Sequence, residues 1–306
     1  MLGLPSPTCA PLVGQTFTDA AGRKRTIDEF GDSVVTANLK TSLSFGSSWT
    51  QHHDNIKFGL ADIARANGYL ATVEVDGLFK SELTAVELAR LSQVTGVHKS
   101  LHAAIPDLLL QRQAGGNSVS RDPYYYEIKT LNKDYAFDGK EGNQVEKRAQ
   151  RIQKDMRRSL KKKDSQWFGH KDDKTMGPLE KRFSNLNFVG LAVGKYGEVS
   201  KELSILITAI ANHGALVNWK KLNLRSEQVA AGVLHFHLRR LMGLLILKSG
   251  AKLLLSRMPL LSGTAKLSAA RVRASERSIF GTHLTLFGSA SRRQGRGQPL
   301  PISFAF

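Results

Sequence analysis

One cysteine in 306 residues, Cys9, rules out an intramolecular disulfide and a cysteine-rich zinc site, and it fits a reducing interior. Acid is scarce too. Only 26 Asp and Glu stand against 44 Lys and Arg, for a formal net charge of +18. Such an excess favours a polyanionic partner, of which nucleic acid is the commonest, over a surface whose basic charge is merely scattered. Residues 1–14 lack a basic leading segment and carry three prolines, so no secretory signal is expected there. The apolar run at residues 241–247 is too short to span a bilayer and is flanked by Arg240 and Lys248. The expectation is a soluble, intracellular protein with no membrane association. No internal repeat is visible. With 41% hydrophobic residues the chain can bury a core, and its length allows one large or two small domains.

Residues 1–32 are rich in Pro, Gly and Thr without a steady period, and an extended lead-in is assigned to 1–47. A helix is predicted over 48–66, with Ile56, Leu60 and Ile63 on one face and Asn67-Gly68 as its stop. A strand follows at 69–75, then a short helix at 84–91 capped by Thr84 with Glu87 three residues on. Strands at 105–110 and 124–131 are joined by a hairpin centred on Gly115-Gly116-Asn117. The clearest helix covers 145–163. Val145, Ala149, Ile152, Met156 and Leu160 form its apolar stripe, while Lys147, Arg151, Lys154, Arg158 and Lys161 form a basic one. The stripes are offset by two residues, roughly 200°, and so lie on opposite faces. A polar loop at 164–175 leads to a buried strand at 188–193. A helix at 200–212 ends at Gly214, and a helical stretch from 226 to about 258 breaks near Ser249-Gly250. The fold class is therefore α/β: a mixed sheet of about four strands with a helix on each side. The divisions are a core at 48–214, a mostly helical region at 215–288 and a disordered basic tail at 289–306.

Within this order sit Pro106-Asp107 and, twenty residues later, Glu127-Ile128-Lys129. On a strand Glu127 and Lys129 share a face and Ile128 points away. Pairing of the two strands would bring Asp107 beside Glu127. Adjacent carboxylates repel unless a cation lies between them, and oxygen-only ligation suits Mg2+ or Mn2+. Such an ion polarises a phosphate and acidifies water. Lys129 would orient or deprotonate that water.

Ile105-Pro106-Asp107-Leu108 and Tyr126-Glu127-Ile128-Lys129, in the order helix, strand, strand, strand, helix, strand, resemble the PD-(D/E)XK nuclease superfamily. The resemblance implies a restriction-endonuclease-like core over roughly residues 48–213. It further implies that Asp107, Glu127 and the main-chain carbonyl of Ile128 bind the metal and that Lys129 serves catalysis. Residues 188–198 are similar to proteins from mobile elements of algae and other protists. Acid-x-Lys also occurs at Asp138-Gly139-Lys140 and Asp172-Asp173-Lys174, but those lie in polar loops, whereas Glu127-Ile128-Lys129 ends an apolar strand. Asp54, Asp62 and His53 on the first helix and Glu74 on the first strand are further candidates that spacing does not single out.

Residues 146–163 hold nine basic side chains against two acidic ones, an excess that suits the phosphate backbone of DNA. Three other signals read as structure. His235-Phe236-His237 places two histidines on different sides of a helix. Residues 194–200 lack the full phosphate-loop spacing and read as a strand-to-helix turn. Of Tyr124-Tyr125-Tyr126, the first and last face away from Glu127 and suit core packing. Two functions stay open: a metal-dependent DNA endonuclease, and a non-catalytic nucleic-acid-binding accessory protein of a mobile element. The Lys/Arg clusters would suit a nuclear address as well as substrate binding, and oligomeric state is left open.

Overall fold

The computed structural model describes residues 6, 9–19, 21–37, 48–75, 78, 83–87, 89, 106–112, 123–131, 144–172, 174–194 and 197–258. The Gly115-Gly116-Asn117 turn, Ile105 and the basic tail lie outside the described residues. The lead-in is structured over part of its length. Strands β1 (Thr16–Thr18) and β2 (Lys24–Thr26) pair antiparallel, and a short helix α1 (Asp32–Thr36) follows. Three-residue strands are too short to show a period, which is why the sequence read as extended. Cys9, Leu12, Phe17, Ile27 and Val34 close a small core with Met258. Arg257 completes the attachment by donating to the carbonyls of Val34, Val35 and Ala37 at 3.2, 2.7 and 2.8 Å, satisfying backbone acceptors at the end of α1.

Helix α2 (Ser48–Ala66) begins and ends where its stripe and the Asn67-Gly68 stop put it. Four strands follow: β3 (Tyr69–Val73), β4 (Leu108–Arg112), β5 (Tyr124–Thr130) and β6 (Asn187–Val193). They form one mixed sheet in the order β3-β4-β5-β6, antiparallel except for the parallel pair β5–β6. Thr84 and Glu87 make the expected reciprocal cap, Glu87 Oε2 accepting from the Thr84 N–H at 2.7 Å.

Helix α3 (Gln144–Phe168) runs past the expected end at 163. Asp164 does not open a loop. It is buried and accepts from the N–H groups of Leu179 and Glu180 at 3.0 and 2.9 Å, capping the unexpected helix α4 (Pro178–Ser184). Helix α5 (Lys201–Asn218) starts at Ser200, whose Oγ accepts from the Leu203 N–H at 3.4 Å. It runs through Gly214 rather than stopping there. Helix α6 (Glu227–Arg257) is likewise unbroken at Ser249, which is buried and donates to the His52 carbonyl at 3.1 Å. A buried serine held by a neighbouring helix needs no kink.

Two apolar layers sandwich the sheet. On one side Ile56, Leu60, Ile128, Leu191, Leu203, Ile210 and Met242 join α2, α5 and α6 to the strands. On the other, Tyr125, Ile152, Leu160, Leu179, Phe183 and Phe188 join α3 and α4 to them. The result is an α/β architecture with a four-stranded mixed sheet flanked by helices and a helical C-terminal region.

Gly214 sits where helix α5 meets the end of α2: a Cβ there would lie 2.2 Å from Asn67 Oδ1. Gly214→Ala gains about 1 kcal/mol in helix propensity but forces an overlap of the kind that costs ~1–3 kcal/mol. A net loss of stability is expected in urea titration. A gain would show that the two helices do not meet at Gly214.

Candidate active site

Antiparallel register between β4 and β5 pairs Leu108 with Tyr126, so Asp107, one step before the ladder, comes opposite Glu127. Asp107 Oδ2 accepts from the Ile128 N–H at 2.8 Å, which ties the acid to the next strand. Ile128 points into the core on the α2 side, so Glu127 and Lys129 project from the other face. Lys129 Nζ lies 2.5 Å from Glu127 Oε1. The second oxygen of Glu127, Oε2, is buried with no hydrogen-bond partner. An acceptor left in that state is costly unless something electropositive reaches it.

Gly190 explains how Glu127 comes to be buried. It is the register partner of Glu127 on β6, and a Cβ at this position would lie 2.5 Å from the Ala149 carbonyl and 2.7 Å from Ile152 Cβ. With no side chain in the way, the first turns of α3 settle onto the sheet beside Glu127.

His53 on α2 completes the group. Its Nε2 lies 3.2 Å from Asp107 Oδ2 and 3.0 Å from the Ile128 carbonyl, so it sits between two of the expected metal donors. Burial alone would lower the pKa of this imidazole. The hydrogen bond and charge of Asp107, with help from the Ile128 carbonyl and Asp54, outweigh burial and raise it from its ordinary value. For Asp107, burial pushes upward, but His53, the Ile128 N–H and Lys129 hold the carboxyl below its ordinary value. Glu127 moves the other way. Burial and then the charge of Asp107 raise it, against Lys129 and His53.

A second cluster adjoins the first. Lys57, one turn after His53, is buried, and its Nζ lies 2.9 Å from Asp54 Oδ1 and 2.6 Å from Glu74 Oε1. Glu74 adopts φ 54°, a left-handed conformation rare for a side-chain-bearing residue. Its N–H donates to the Asp107 carbonyl at 3.0 Å, so this turn fixes the backbone from which Asp107 projects.

Sequence reasoning thus named Asp107, Glu127, Ile128 and Lys129, and the structure brings the four together. His53, Asp54 and Glu74 were only unranked candidates, yet all three lie at or beside the group. Asp62 is turned away, pairing with Arg65 at 2.9 Å. Lys57 and Gly190 were missed. The signal for Lys57 was a lysine beside the apolar Ile56 position with an acid three residues before it. Lys147, Arg151, Lys154, Arg158 and Lys161 are all exposed along α3, opposite buried Ala149, Ile152 and Leu160. His235 lies 3.3 Å from Thr208 Oγ1, an ordinary interhelical contact. Tyr126 is buried and Tyr124 half exposed, their rings stacked at 6.4 Å. An open groove of about 570 Å³ along α5, bordered by Arg112 and Glu227, lies at the far end of β4.

Among the described residues no three His, Cys, Asp or Glu side chains converge closely enough to make a metal centre by themselves. A cation here would draw on Asp107, Glu127 and the Ile128 carbonyl. This all-oxygen set fits a hard divalent ion, and the unpartnered Glu127 Oε2 supplies the donor such an ion requires. Compared with protein-family models, curated proteins and solved structures, the chain matches none.

The raised pKa of His53 carries a pH dependence. A group whose pKa is higher folded than unfolded stabilises the fold fully below its unfolded value, and that contribution is lost as pH rises through the folded value. The stability gap between wild type and His53→Gln, measured in urea without divalent metal, should therefore be widest near pH 6 and shrink toward pH 9 (about the range above an ordinary histidine pKa). A gap independent of pH would mean that His53 is not held as the imidazolium.

Proposed function

We propose that this chain is a metal-dependent phosphodiesterase of the PD-(D/E)XK, restriction-endonuclease-like type that cuts nucleic acid, with DNA as its substrate. One observation carries the reading. Asp107, Glu127 and the Ile128 carbonyl meet at one end of the sheet, and a buried oxygen of Glu127 there has no partner. The order of elements from α2 to β6, helix, strand, strand, strand, helix, strand with α4 added before the last strand, supports this reading.

Mg2+ or Mn2+, when bound, would supply Lewis-acid polarisation of the scissile phosphate and the attacking water. Asp107 and Glu127 are the carboxylates that would hold it, with the Ile128 carbonyl beside them. Lys129, beside Glu127 and partly exposed, orients the nucleophilic water and offsets the negative charge that builds on the phosphate. His53 holds Asp107 and the Ile128 carbonyl in place from α2. Lys147, Arg151, Lys154, Arg158 and Lys161 bind backbone phosphates along α3. These contacts carry no sequence information. An intracellular, nucleic-acid-bearing compartment such as the nucleus fits this reading.

The test is cleavage of plasmid and branched or single-stranded oligonucleotides with Mg2+ or Mn2+ against EDTA. Glu127→Ala and Lys129→Ala should each lower the cleavage rate by ~10²–10⁴-fold, the usual size for losing a positioned catalytic group, while DNA affinity is retained. Binding without cutting under every metal and substrate geometry would assign the chain to the accessory-protein class instead. Replacing Lys154 and Arg158 with Ala should weaken all sequences alike and reduce the slope of log affinity against log salt by about 0.9 per lost phosphate contact. An unchanged slope would remove α3 from the interface.

A further inference from the structure

Lysine is rarely buried unless it is paired, and the Lys57 side chain is only 3% exposed. Its Nζ meets two carboxylate oxygens, Asp54 Oδ1 at 2.9 Å and Glu74 Oε1 at 2.6 Å. The Phe58 ring centre lies 5.3 Å from the same ammonium, a cation–π distance. Glu74 reaches it from a left-handed turn at φ 54°. Burying an ion pair seldom adds stability over an apolar pair of the same volume, so this one calls for another reason. Both acids are also tied to Asp107. Asp54 Oδ1 meets His53 Nδ1 at 3.4 Å, and Nε2 of that imidazole meets Asp107 Oδ2 at 3.2 Å. The Glu74 N–H donates to the Asp107 carbonyl at 3.0 Å. The ammonium therefore belongs to the same end of the sheet as the metal donors named above.

We propose that the Lys57 ammonium is a resident cation, filling the cation position that Asp54 and Glu74 form and restricting this end of the sheet to one divalent ion at Asp107 and Glu127. The restriction to one ion rests on the metal-dependent reading above; the role of Lys57 as the cation of Asp54 and Glu74 does not. Charge supports both parts. Asp54, Glu74, Asp107 and Glu127 set four carboxylates against the ammonium groups of Lys57 and Lys129. One divalent ion meets that shortfall of two positive charges. A protonated His53 would reduce the shortfall to one, and the single negative charge of a bound phosphodiester would restore it. A second divalent ion would leave an excess in either case, and the ammonium would repel it. Nor does Lys57 offer such an ion a donor, since an ammonium has no lone pair and already engages Asp54 Oδ1 and Glu74 Oε1.

The test is titration of the full chain with Mn2+ in the absence of nucleic acid, counting free ion by its electron paramagnetic resonance signal. Wild type should take up one equivalent, lost in Glu127→Ala and unchanged in Asp54→Asn. Lys57→Met, an apolar side chain of similar length, should take up two, and adding Asp54→Asn to it should return the count to one. Lys57→Arg keeps the charge and should stay at one. Two equivalents in wild type, no gain in a folded Lys57→Met, or the same gain in Lys57→Arg would overturn the proposal. If Lys57→Met fails to fold, wild type and Asp54→Asn decide: equal counts of one uphold the proposal, and a count that falls with Asp54→Asn overturns it. A wild type that binds no Mn2+, beside a Lys57→Met chain that binds one, would uphold Lys57 as the resident cation and sink instead the metal reading of Asp107 and Glu127.

Discussion

The depth at which helix α3 rests on the sheet is set by the absence of a side chain at Gly190. Any larger residue there would strike the Ala149 carbonyl and the Ile152 side chain and lift the helix. Because Gly190 is the register partner of Glu127 on the adjacent strand, the same close approach that fills the apolar layer takes a carboxylate out of water. The backbone contact, the buried acid and the outward basic face of α3 are therefore one arrangement. Helix docking positions the basic stripe relative to the acids without any residue shared between them.

The electrostatics of the sheet end follow from that burial. Two carboxyls one strand apart are driven in opposite directions, Asp107 downward by His53 and Glu127 upward by desolvation and by Asp107 itself. Such a divergence of neighbouring acids is the pattern from which paired acid and base groups are built. Beside these acids Lys57 pairs with both Asp54 and Glu74. It joins α2 to the corner between β3 and β4, and the left-handed turn at Glu74 is held by a hydrogen bond to Asp107. A strained residue anchored at both its side chain and its backbone persists because its surroundings over-determine it.

Strong periodicity made the central elements legible. The stripes of α2 and α3 and the apolar runs of β5 and β6 placed four elements within a few residues, and the strand period alone put Glu127 and Lys129 on one face. What stayed hidden depended on contacts between residues far apart in the chain. Asp164 looked like the start of a loop because nothing in its neighbourhood announces that it caps α4. Gly214 and Ser249-Gly250 carried the composition of helix ends, yet Gly214 packs closely against Asn67 and Ser249 bonds to the His52 carbonyl. His53 was indistinguishable from its acidic neighbours until the sheet brought Asp107 and Ile128 to it. The N-terminal segment failed for another reason: its strands are shorter than any detectable alternation, and its core is completed by Leu254 and Met258, more than two hundred residues away.

That last closure gives the chain a built-in reporter. The only thiol, Cys9, is fully buried in the small core sealed by α1, the first hairpin and the end of α6, with Arg257 fastening the lid. A reagent can reach it only when this corner opens, so the rate of thiol labelling reads the free energy of detaching the N-terminal segment, separately from global unfolding. Unlabelled chemistry elsewhere in the molecule cannot confuse the signal, and no engineered probe is required.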